Sequence, residues 1–403
     1  MPSSAAAPPF DPDGLDRLDA TLRWHAESGG VPGIVAAISR HGQRHLAAAG
    51  TLTLAGPAIV PDAIFRIASI TKPIAATAAM ILVEEGRIGL DASIDNLLPE
   101  LVGRPVLRTL ASDPDDTVPA FRPVTTRDLL TFTGGDGYLF AAPGTYPIQA
   151  AIEQAGLSPA APMPGGDPDS WIARLGTLPL LSQPGHRWRY HVSAEILGVL
   201  IARAARQPLP DVMQERIFAP LGMRDTGFQL PAASLDRFTT CYQPGPTTAA
   251  SEVYDPAQGS AWLSPPSFPN AGGDLLSTAD DLLAFGEMLA GRGERAGVRV
   301  LSPESVAMMT TDHLTDLQKT ATGIDRDIFG IDGWGFCMNV HTRPTSLGMQ
   351  KGTYGWDGGL GTSWANDPVT GLTGVLLTNL AWTSPTPPAV RADFWRTACM
   401  ALA

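Results

Sequence analysis

Residues 11–28 carry Leu15, Leu18, Leu22 and Ala26 at helical spacing and end at Gly29-Gly30, which predicts an amphipathic surface helix. Residues 34–39 and 44–49, joined by a short turn holding His41-Gly42, read as two strands of a hairpin. Residues 74–83 are apolar on every face, so this helix belongs inside the protein, and Gly86 closes it. Stretches rich in Pro, Gly and Asp around 102–124 and 140–169 mix with helical segments such as 193–205 and 209–218. Toward the carboxyl end the grammar changes: 333–341, 361–366 and 373–379 are short runs bounded by Gly, Pro and Asp, as strands are, and a last helix is expected over 388–400.

Strands at both ends of the chain with helices between predict an α+β fold. One antiparallel sheet is built from both termini and flanked by the terminal helices, and an all-helical lobe is inserted between its halves. The expected division is a flexible amino terminus at 1–10, an α/β lobe from 11–70 and 265–403, and a mainly helical lobe with long loops at 71–264.

Composition narrows the functional classes. With 403 residues and 44% hydrophobic content the chain can bury a substantial core. A net charge of −12 weighs against nucleic acid or an anionic membrane as partner, because both select a basic face. Met1 to Phe10 have neither a basic start nor an apolar run, so no secretory signal or anchor is expected. Cys241, Cys337 and Cys399 lie far apart, which implies neither a disulfide framework nor a metal ligand set. The expected location is therefore the cytoplasm.

Three lysines, Lys72, Lys319 and Lys351, stand against 25 arginines, and Lys72 closes the tetrad Ser69-Ile70-Thr71-Lys72. Positions three apart share a helix face, so the serine hydroxyl and the lysine amine can meet. Pro73 lacks an N–H and is best tolerated near a helix start, where the nucleophile's own N–H is left to bind an oxyanion. Burial on an apolar helix lowers a lysine pKa and fits it to act as a base. A capping serine followed by a snorkelling lysine stays open from the tetrad alone.

Other chemistries are missing from the sequence. There is no G-x-S-x-G elbow, no His-Glu-x-x-His, no Cys-x-x-Cys and no Walker motif, so no metal and no cofactor is expected. The close pairs His41 with His45 and His186 with His191 lack acidic or cysteine ligands at metal-site spacing and read as turn or loop residues.

Phe65 to Lys72 with the apolar helix behind it resembles the nucleophile segment of serine β-lactamases (class C among them), D-Ala-D-Ala peptidases and, most closely, family VIII carboxylesterases. Further segments resemble the same superfamily in order: Leu90-Asp91 to Leu101, Thr126 to Thr131, Pro220 to Thr226, and Gly272-Gly273-Asp274-Leu275-Leu276-Ser277-Thr278. The resemblance runs from about residue 15 to 400. It implies a β-lactamase/transpeptidase-like fold and a serine hydrolase that forms an acyl-enzyme on Ser69.

It also assigns Tyr190 to proton transfer with Lys72; a phenol beside an ammonium loses its proton below the usual value of about 10. Two residues on, lactamases carry Asn and this chain has Val192, which removes an amide that would contact substrate. The lactamase Lys-Thr-Gly strand aligns with Trp356-Asp357-Gly358, so an apolar plate replaces the cation that holds a β-lactam carboxylate, and the N–H of Gly359 joins that of Ser69 in the oxyanion hole. The implied activity is a carboxylesterase acting on short-chain or small uncharged esters. A β-lactamase or D-amino-acid peptidase or amidase, an acyltransferase, and, in another class, a non-hydrolytic penicillin-binding-type sensor remain alternatives.

Overall fold

Asp11 accepts a hydrogen bond from the Gly14 N–H, and with Pro12 in the first turn it starts α1 (Pro12–Glu27). The computed structural model describes residues 10–158, 166–245, 251–320, 330–384 and 386–403; of the stretch expected to be a flexible terminus, all but Phe10 lies outside them. After α1 come β1 (Gly33–Arg40) and β2 (Gln43–Gly50), then α2 (Thr71–Glu84) and α3 (Val192–Ala205). A hairpin, β3 (Cys241–Pro244) and β4 (Ser251–Asp255), precedes α4 (Ala279–Ala290). The chain ends with β5 (Asn339–Val340), β6 (Tyr354–Gly358), β7 (Thr362–Asp367), β8 (Leu372–Thr378) and α5 (Ala389–Met400).

One six-stranded antiparallel sheet, in the order β5-β6-β7-β8-β1-β2, joins the two ends of the chain. Strand β1, paired between β8 and the edge strand β2, is apolar on both faces because both are covered. Ile34, Ala36 and Ile38 pack with Leu18 and Leu22 of α1 and with Phe394 and Trp395 of α5. The alternate residues Val35 and Ala37 join Leu282 and Phe285 of α4 in the larger core. Each such fully buried aliphatic or aromatic side chain contributes about 1.5–3 kcal/mol of transfer free energy. The edge strand β2 alternates exposed and half-buried positions, and its His45 reaches Asp19 of α1 at 2.7 Å.

The apolar segment expected inside the protein is α2, buried from Thr71 through Leu82 and packed against α3. Three expectations change. The strand expected over 333–341 shrinks to Asn339–Val340, because Cys337 takes a left-handed φ of 59° and its N–H goes to the Leu130 carbonyl, away from the sheet ladder. The helix expected over 209–218 divides into an α-helical Leu209–Met213 and a π-helical Gln214–Phe218. The hairpin β3–β4 lies within the stretch read as mainly helical. None of the three cysteines forms a disulfide, and among the described residues no helix is long and apolar enough to cross a membrane.

Candidate active site

A short strand at Phe65–Arg66 and a single 3₁₀ turn, Ala68–Ile70, carry Ser69 to the head of α2. Ala68 adopts φ 46°, left-handed for a residue with a Cβ, so the backbone is bent sharply just before the serine. The segment is fixed from two sides. Phe65 pairs with Ser277, and the Ile67 N–H donates to the Leu275 carbonyl at 2.9 Å, which lays the Gly272-Gly273 loop alongside Ser69. Arg66 ion-pairs with Asp255 of β4 in a buried contact, donates to the Thr239 carbonyl at 2.7 Å and stacks over Phe238, so the β3–β4 hairpin is anchored to the serine's own strand.

Lys72 is fully buried in the first turn of the helix. Its Nζ lies 2.8 Å from Ser69 Oγ and 3.0 Å from His191 Nδ1, and it donates to the Gly272 carbonyl oxygen. Burial pulls its pKa down to about 7, against the opposing pull of Glu195, Cys337 and Asp274. The amine is therefore substantially neutral at physiological pH and able to accept the serine proton.

Tyr190 stands just ahead of α3 within Trp188, Phe132, Phe140 and Trp356, and its hydroxyl contacts Ser69. The expectation of a readily ionised phenol is corrected here. Burial among these rings pushes the Tyr190 pKa up, and the hydrogen bonds from Ser69 and Trp356 offset this only in part. At neutral pH the tyrosine keeps its proton and is a donor.

The other expected site residues separate. Trp356, expected as an apolar plate toward substrate, is buried, edge-on to Trp334 at 4.8 Å, and its Nε1–H donates to the Tyr190 hydroxyl oxygen at 2.8 Å. Asp357, expected on the substrate side, points to the opposite face of the sheet, since side chains alternate along a strand. There it ion-pairs with Arg391 of α5 at 3.0 Å and accepts from Ser363 Oγ. Gly358 lets β6 meet the serine's segment: a Cβ there would stand 2.4 Å from the Ile67 carbonyl oxygen. Val192 lines a separate cavity of about 840 Å³ together with Tyr138 and Glu195.

Gly359 is exposed and shares with Ser69 a cavity of about 610 Å³. Its other walls include Gly272, Gly273, Leu360 and Trp382, and Gln243, Glu252 and Tyr254 from the β3–β4 hairpin. Among the described lining residues Glu252 alone is a charged side chain, because burial and the nearby Lys72 hold His191 down to about 4 and so neutral. Sequence reasoning missed the hairpin and His191. For His191 the signal was available: it adjoins Tyr190 and stands four residues before Glu195. For the hairpin there was none. Among the described residues no cluster of His, Cys, Asp or Glu could hold a metal ion.

The same arrangement of elements recurs in known proteins. The family model described as Beta-lactamase matches residues 18–394. Protein Rv1367c of Mycobacterium tuberculosis (strain ATCC 25618 / H37Rv) is 41% identical over 319 residues, 78% of this chain and 77% of that protein. Esterase EstB of Burkholderia gladioli is 33% identical over 392 residues, 92% of each chain. The solved structure of EstCE1, described as a hydrolase with promiscuous acyltransferase activity, superposes with a TM-score of 0.77 at 26% identity, over 96% of this chain and 99% of that one. With a sheet built from both chain ends, a helix-head serine in contact with a buried lysine, and a family match spanning nearly its whole length, the chain belongs to the Beta-lactamase family and is a serine hydrolase.

Proposed function

We propose that the protein is a carboxylesterase that acts on small uncharged esters through an acyl-enzyme on Ser69. The observation that carries this reading is the contact between Ser69 and a buried Lys72, whose pKa burial lowers to about 7, at a cavity whose described lining offers no cation. Ser69 Oγ attacks the ester carbonyl while its proton passes to Lys72 Nζ, and the carbonyl π pair moves onto oxygen. The N–H groups of Ser69 and Gly359 are the proposed oxyanion donors. As the tetrahedral intermediate collapses, Tyr190 protonates the departing alkoxide and is reprotonated from the Lys72 ammonium. Water then loses a proton to Lys72, attacks the acyl carbon and displaces Ser69, which regains its proton. The esterase relative matched over 92% of both chains supports the choice of ester over amide.

A β-lactam carries a carboxylate, and an anion entering this cavity meets Glu252 and no opposite charge among the described lining residues. In a side-by-side assay, kcat/KM for p-nitrophenyl butyrate should exceed that for a chromogenic cephalosporin by at least about a hundredfold, roughly 2.7 kcal/mol, the size of a lost charge-assisted hydrogen bond. Comparable turnover of the two substrates sinks the esterase reading in favour of a lactamase. Acyl transfer shares the first half-reaction, and the breadth of the cavity together with the similarity to EstCE1 supports it as a second activity. Adding butanol to the same assay and measuring butyl butyrate decides between the two fates of the acyl group.

Trp356 enters through Tyr190. Trp356→Phe keeps the aromatic packing and removes the N–H that holds the phenol, so kcat should fall about tenfold with KM nearly unchanged. A rise in KM at constant kcat would instead return Trp356 to the substrate-facing role expected from sequence.

A further inference from the structure

His191 is an odd choice for its position. Its φ of 85° and ψ of −65° are the rare left-handed γ-turn geometry, closed by the Val192 N–H on the Tyr190 carbonyl at 3.3 Å. A glycine would adopt it without strain, so the fold holds a histidine there against a conformational cost. The ring is held on every side. It stacks on Tyr138 with centroids 4.3 Å apart, it meets Tyr190 edge-on, and Gly272 lies so close that a Cβ there would stand 2.6 Å from His191 Nε2. Nδ1 faces Lys72 Nζ at 3.0 Å, and Nε2 lies 3.4 Å from Glu195 Oε1. That carboxylate oxygen accepts from the Tyr138 hydroxyl at 2.9 Å and from Asn270 Nδ2 at 3.2 Å.

We propose that His191, oriented by Glu195, is a positioning residue that aims the lone pair of Lys72 at Ser69 and holds the lysine once it has taken the serine proton. Among the described residues Nε2 makes no hydrogen bond, and the negative charge of the carboxylate 3.4 Å from it favours the tautomer with its proton on Nε2, which leaves Nδ1 as an acceptor. A neutral amine has two hydrogens and one lone pair. With the hydrogens directed to His191 Nδ1 and the Gly272 carbonyl, the remaining tetrahedral direction, the lone pair, faces Ser69 Oγ. After proton transfer the ammonium keeps both acceptors. The charged and titratable groups around the amine are Glu195 from the start of α3, Tyr190 just ahead of that helix, Asp274 from the glycine loop and Cys337 from the loop before β5, with Tyr138 behind the imidazole.

This inference rests on the serine hydrolase reading, so its test avoids any assumption about substrate. The rate at which a fluorescent fluorophosphonate labels Ser69 is followed against pH in the wild type, His191→Phe and Glu195→Gln. Phenylalanine keeps the stack on Tyr138 and removes the acceptor nitrogen; glutamine keeps an acceptor for Tyr138 and Asn270 and removes the charge. Labelling at the optimum should fall about a hundredfold in His191→Phe and about fivefold in Glu195→Gln, with melting temperatures close to wild type. The acid limb should move to lower pH in both, because each change removes a group that favours the ammonium over the amine. Limbs that stay where the wild type has them, or losses that track a fall in melting temperature, overturn the inference. If His191→Phe does not fold, His191→Leu is read in its place, because the attraction of Glu195 for the Lys72 ammonium moves the limb of Glu195→Gln whatever His191 does. A wild type unlabelled at Ser69 overturns the hydrolase reading itself.

Discussion

Ser69→Ala is expected to reduce ester hydrolysis to the uncatalysed background, a loss of at least about 10⁴-fold in kcat, since no acyl-enzyme can form without the hydroxyl. The fold should survive. Of the two buried groups that lose a partner, Lys72 Nζ keeps His191 Nδ1 and the Gly272 carbonyl, and the Tyr190 hydroxyl keeps the Trp356 Nε1–H, so neither is stranded. The stability change should stay within about 1 kcal/mol, the net worth of one hydrogen bond. Two measurements check this: kcat with p-nitrophenyl butyrate, and mass spectrometry of the quenched reaction, in which the wild type carries a butyryl adduct on Ser69 and the variant carries none. Residual activity of more than a few per cent, together with an unmodified Ser69 in the wild type, would show that the nucleophile lies elsewhere.

Lys72→Arg should be nearly as damaging as Lys72→Ala, with kcat down about 10³-fold or more in each. A guanidinium stays protonated throughout the accessible pH range, so it offers no lone pair to the serine proton, and it does not fit the space of a fully buried ammonium. The pH profile of the wild type follows from the same residue. Burial lowers the lysine from its ordinary value near 10.5 to about 7, so the amine fraction rises with pH through neutrality. Below that point kcat/KM should fall about tenfold per pH unit, because only the unprotonated fraction acts as base. The tyrosine, pushed upward by burial, adds no second rise near neutrality. An arginine variant with wild-type activity would reduce Lys72 to a structural cation, and a flat profile between pH 5 and 8 would remove it as the base.

Much of this was legible in the chain. Local order sufficed where a signal is contained within a few residues. The helical spacing of Leu15, Leu18 and Leu22, the hairpin turn at His41-Gly42, the all-apolar run behind Lys72 and the three-residue offset from Ser69 to Lys72 each specify their own geometry, because a helix or hairpin is closed by bonds between near neighbours. Only the tertiary structure decided the second layer of the site. Trp356 read as an apolar plate because nothing in Trp356-Asp357-Gly358 shows that the phenol of Tyr190, 166 residues away, stands within reach of the indole N–H. Asp357 joined the substrate side because a three-residue motif does not say which face of the sheet is which, and Arg391 settles that from the last helix. His191 read as a loop residue, which its backbone is, while its ring meets a lysine 119 positions earlier. The direction of the tyrosine's pKa depended likewise on rings from four separate segments that exclude water from one hydroxyl. Sequence carries what neighbouring residues do to one another; burial and long-range contact, which set the charge state and the aim of every group around Ser69, exist only once the chain has closed.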